Sequence, residues 1–82
     1  MSPEVHALAA KVAKGGFRWV EDGKLLEQII ALIRRATGPK CTREYLVACL
    51  KQLDRQHGWK MDGKTQEQED ALYGMFVDLL LK

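Results

Sequence analysis

The chain has 82 residues, 46% hydrophobic and 29% charged, with a net charge of +2. That balance excludes a disordered tail, which lacks the apolar content to fold. Its length predicts one domain, residues 1–82, that buries only about 60% of the surface its unfolded chain exposes.

In chain order, Ser2-Pro3-Glu4 is a helix start: serine can cap, proline suits the first turn, and glutamate complements the dipole. Val5, Leu8, Ala9 and Val12 then make one apolar stripe, and Gly15-Gly16 ends it, so the first helix is placed at about 3–14. The second, at about 24–37, carries Leu25, Leu26, Ile29, Ile30 and Ile33 on one face and stops at Gly38-Pro39. Thr42 caps the third, at about 43–57, whose expected buried face is Tyr45, Leu46, Cys49, Leu50 and Leu53. Thr65 with Gln68 forms a capping box for the fourth, at about 66–81. Its main stripe is Ala71, Leu72, Met75, Phe76, Leu79 and Leu80. The fold class predicted is all-α, a four-helix domain made of two helix–loop–helix units.

The two loops, 15–23 and 58–64, hold a doubled motif, WVEDGKLLEQ at 19–28 and WKMDGKTQEQ at 59–68. The layout resembles a pair of EF-hands, but the ligand spacing fails. With Gly23 at loop position 6, positions 1, 3 and 12 are Arg18, Val20 and Ile29; with Gly63 there, they are Gly58, Lys60 and Glu69. The structural reading is therefore preferred. Asp22-Gly23 and Asp62-Gly63 are turn dipeptides, and Trp19 and Trp59 are expected to anchor each loop on the core. A short extended pairing of Phe17, Trp19 and Val20 with Trp59–Met61 is an added expectation. A forty-residue shift is also compatible with a duplicated unit.

No catalytic constellation, cofactor motif or metal-ligand spacing is present, so no enzyme activity, cofactor, metal or small-molecule substrate is expected. Cys41 and Cys49 are eight apart, about 12 Å along a helix, too far for a disulfide. Reduced thiols, the absence of a secretory signal and the lack of any long apolar run predict a cytoplasmic protein that does not enter membranes.

Charge is uneven: residues 34–60 carry seven basic and two acidic side chains, and residues 61–82 two basic and five acidic. Two functions from different classes follow. The last helix is apolar nearly all round, and Tyr73, Val77 and Leu81 widen its surface beyond one face. This predicts a small adaptor, inhibitor or regulatory subunit that binds a protein partner or self-associates through that helix. The alternative is a helix-turn-helix-like nucleic-acid binder, using Arg34, Arg35, Lys40, Arg43, Lys51 and Arg55 as phosphate or base contacts.

Overall fold

Local capping chemistry sets the ends of the helices. A computed structural model describes residues 2–14, 19–59 and 65–81, with the backbone alone for residues 19–22. Four α-helices result: α1 (Pro3–Lys14), α2 (Trp19–Thr37), α3 (Arg43–His57) and α4 (Gln66–Leu81), with a single 3-10 turn at Gly38–Lys40. Ser2 Oγ accepts from the Val5 backbone N–H at 3.4 Å, and Thr42 Oγ1 accepts from Tyr45 N–H at 3.1 Å. At α4 the reciprocal capping box forms: Thr65 N–H donates to Gln68 Oε1 and Gln68 N–H to Thr65 Oγ1. Gly58 closes α3 at φ +68°, a left-handed conformation that glycine adopts without steric cost.

The all-α four-helix class is as predicted, but α2 starts five residues earlier than the spacing suggested. Trp19 and Val20 are helical, not extended, so the expected pairing of the two loops does not use them. The other residues expected in it, apart from Trp59, lie outside the described residues, as do Asp62 and Gly63. The two copies of the motif therefore differ in conformation. The first is helical through Asp22, Gly23 and Lys24, whereas Trp59 in the second lies beyond the end of α3. An Asp-Gly pair costs a helix about 1 kcal/mol, little enough for tertiary packing to override.

Gly23 illustrates that cost. A methyl group built there meets only the Phe76 ring, at 4.0 Å, an ordinary contact. Gly23→Ala is therefore expected to stabilise the domain by about 0.5–1 kcal/mol, read from the urea midpoint. A loss of stability would mean that α2 does not begin before Gly23.

The helices form two antiparallel hairpins, α1 with α2 and α3 with α4, joined where α1 meets α3. Val5, Ala9 and Val12 of α1 bury with Leu26, Ile29, Ile30 and Ile33 of α2. Leu46, Cys49, Leu50 and Leu53 of α3, Trp59, and Tyr73 and Val77 of α4 complete the core. Tyr45, assigned by spacing to the buried face of α3, is instead 45% exposed.

Candidate functional site: the inner and outer faces of the last helix

The inward face of α4 is built around a buried acid. Asp54 follows Leu53 on the buried side of α3 and is only 8% exposed. Its Oδ2 accepts from the Tyr73 hydroxyl at 3.0 Å, and its backbone carbonyl accepts from Trp59 N–H at 3.0 Å. Burial, together with the neighbouring Glu69 carboxyl, pushes Asp54 up to about 6, against the smaller opposing effects of Tyr73 and Arg55. Burial and the Asp54 charge likewise raise the Tyr73 phenol. Trp59, 1% exposed, donates its indole N–H to the Ala9 carbonyl at 3.0 Å, tying the end of α3 to the middle of α1. Its ring centroid lies 6.4 Å from that of Tyr73.

These contacts reverse the expected orientation of α4. Tyr73 and Val77, predicted to be an exposed interface, are fully buried, and Leu81 is partly exposed at 39%. The physical reason lies on α3. Tyr73 must reach Asp54, since a buried hydroxyl and a buried carboxyl each require a partner. Gly74 is buried as well, and its missing side chain leaves room for Arg43, since a methyl there would lie 2.7 Å from the guanidinium. The gap lets Arg43 cross α4 to Asp78, where its Nε lies 2.5 Å from Oδ1. The predicted main stripe is consequently turned only partly outward: Met75 is 61% and Leu79 65% exposed, whereas Leu72, Phe76 and Leu80 are half-buried and pack against the core.

The basic row of α3 is tied to the same helix by polar contacts while staying partly exposed. Lys51 Nζ lies 3.4 Å from Asp70, and Arg55 donates to the side-chain oxygen of Gln66. A polar cleft of about 380 Å³ between α3 and α4 gathers Lys51, Asp54, Arg55, Gln66, Glu69 and Asp70, whose charges largely answer one another. Of the six basic residues selected from the sequence, Arg34, Arg35 and Lys40 are exposed and have no ion pair among the described residues.

A second cavity, about 500 Å³ and mainly apolar, opens on the outer side of the first hairpin. Ala7 and Leu8 of α1 and Ala31 and Leu32 of α2 form its floor, with Glu4 and Arg35 at its rim. Sequence reasoning did not find it, because alanine and half-buried leucine on an outward face are unremarkable in a sequence pattern.

The structure also joins two histidines 51 positions apart. His6 Nδ1 and His57 Nε2 are 3.1 Å apart, with ring centroids separated by 5.4 Å. One nitrogen donates and the other accepts, which links the start of α1 to the end of α3. Cys41 and Cys49 are both free thiols; burial raises Cys49, which lies on the core side of α3. Among the described residues no three His, Cys, Asp or Glu side chains converge as a metal site. No described helix is long and apolar enough to cross a membrane.

No protein-family model, curated protein or solved structure matches the chain.

Proposed function

We propose that the chain is a small non-catalytic protein-interaction module that self-associates through the outer stripe of α4. The observation that carries this reading is the exposure of Met75 and Leu79, four residues apart on one helix face and contiguous with half-buried Leu72, Phe76 and Leu80. Large apolar side chains grouped on one exposed face mark association surfaces, whereas single ones do not. The charge bordering the stripe, Asp78, is already paired with Arg43, so covering this face leaves no isolated carboxylate. A non-catalytic role is supported by the α3–α4 cleft, where Asp54 is committed to Tyr73 and Lys51 to Asp70.

Sedimentation velocity over a concentration series tests it. Association of the native chain is expected, and Met75→Glu or Leu79→Glu is expected to weaken it at least tenfold, about 1.4 kcal/mol, with unchanged helical circular dichroism. Association of both variants equal to that of the native chain would remove the α4 surface from consideration.

Nucleic-acid binding is the second reading, favoured by exposed Arg34, Arg35 and Lys40. It is weakened by the ion pairs of Arg43 and Lys51 and by the Arg55–Gln66 hydrogen bond. In the same runs, a mixed-sequence DNA duplex at low salt is expected to sediment alone. Co-sedimentation lost in Arg34→Ala/Arg35→Ala would restore this reading, since phosphate contacts are strongest at low salt.

A further inference from the structure

We infer that His6 and His57 form a two-imidazole site for a late first-row divalent metal ion, zinc above all, held between α1 and α3. The first argument is distance. The fold brings the chain's two histidines together, with His6 Nδ1 3.1 Å from His57 Nε2. Zinc–imidazole bonds are about 2.0–2.1 Å long, so nitrogens at this separation share one ion at an N–Zn–N angle of about 100°. The tetrahedral angle is reached when they part to roughly 3.3–3.4 Å, a shift of a few tenths of an ångström. Ring centroids 5.4 Å apart put the two nitrogens nearly in line, the arrangement of an N–H···N bond. Each ring therefore swings by roughly 35–40° to aim its lone pair at an ion beside that line. Both side chains are half-buried rather than locked in the core, which leaves them room to swing.

The second argument is the surrounding chemistry. The proton now between the rings is no obstacle. On metal binding the donor ring carries it on its other nitrogen, so both imidazoles stay neutral and both facing nitrogens become lone-pair ligands. A polar cavity of about 410 Å³ opens beside His6, with Gln52 and Gln56 of α3 on its wall. Their amides make no hydrogen bond among the described residues, so an amide oxygen or water can fill the remaining positions of a four-coordinate ion. Cys49 lines the same cavity, but burial raises its thiol and disfavours the thiolate that zinc takes. The site is thus a two-histidine one. His57 is the last residue of α3, where the partial negative charge of the helix end favours a cation. An ion there clips the start of α1 to the end of α3 and stabilises the folded chain by linkage. Metal-ligand spacing in the sequence misses such a site, because its ligands are 51 positions apart.

Calorimetric titration of the native chain with zinc chloride, the thiols kept reduced, is the test. One zinc per chain is expected, together with a raised melting temperature. His6→Ala and His57→Ala are each expected to weaken binding by about tenfold or more and to lose the zinc-dependent rise in melting temperature. Cys41→Ser is expected to bind zinc as the native chain does. Nuclear magnetic resonance of the native chain needs no substitution: the ring signals of both histidines are expected to shift together as zinc is added. Should an alanine variant fail to fold, those ring signals decide alone. A native chain that takes up no zinc overturns the site and leaves the pair a hydrogen bond only. Zinc binding undiminished in both histidine variants also overturns it. So does binding lost in Cys41→Ser while the histidine rings stay unmoved, which would assign the ion to a thiol.

Discussion

Trp59→Ala is expected to leave little folded protein at 25 °C. Replacing a buried tryptophan with alanine typically removes about 3–5 kcal/mol, and small domains begin with only about 5–15 kcal/mol. At Trp59 the loss is compounded, because the indole N–H bond to the Ala9 carbonyl and the ring contact with Tyr73 disappear together. Trp59→Phe keeps much of the volume and loses the hydrogen bond, so about 1–2 kcal/mol is expected. Urea unfolding followed by circular dichroism separates the two. A Trp59→Ala protein within 1 kcal/mol of the native one would show that the indole does not occupy the core.

The second large effect is pH-dependent. Asp54 has its folded pKa raised to about 6, above the ordinary carboxylate value of 3.8. Between about pH 4 and pH 6 the folded chain therefore binds more protons at this site than the unfolded chain. Stability from this group falls as pH rises through that window and remains low at neutral pH. Asp54→Asn removes the charge while its amide oxygen can still accept from the Tyr73 hydroxyl, and its NH₂ can donate to Glu69. The variant is expected to be about 1–3 kcal/mol more stable at pH 7 and to lose this group's contribution to the slope. Thermal melts at pH 4, 5, 6 and 7 read this as about 4–8 °C per kcal/mol. A variant less stable than the native chain at pH 7 would mean that the ionised carboxylate holds α3 to α4.

The helices were legible in the sequence because their signals are local. Thr42, the Thr65–Gln68 box and Gly58 act within a few residues of themselves, and each does in the structure what its chemistry suggests. The orientation of α4 was not legible from its own residues. With apolar side chains nearly all round, its facing is decided by α3, through a carboxyl that needs a buried hydroxyl and an arginine that needs a gap. One signal did exist: Asp54 stands four residues after Leu50 and next to Leu53, on the apolar side of α3. A carboxylate at such a position asks for a donor from the facing helix, and Tyr73 is the donor it finds. The start of α2 was missed for the opposite reason. Turn propensity at Asp22-Gly23 is real but small, and an amphipathic helix that continues to Thr37 overrides it. The His6–His57 contact and the α1–α2 hollow depend on residues distant in sequence, and only the assembled hairpins bring them together.

The junction at Trp59 has a consequence for how the domain opens. Its backbone amide is bonded to Asp54, its indole to α1, and its ring lies beside Tyr73 of α4, so one residue touches three helices. None of those three helices can detach from it without breaking a buried contact. Amide hydrogen exchange should therefore be slowest in the turns nearest this residue, around Ala9 to Ala13 and Leu50 to Asp54, and approach the rate set by global unfolding. The far end of the second hairpin, held by the exposed Arg43–Asp78 pair, should exchange through smaller local openings.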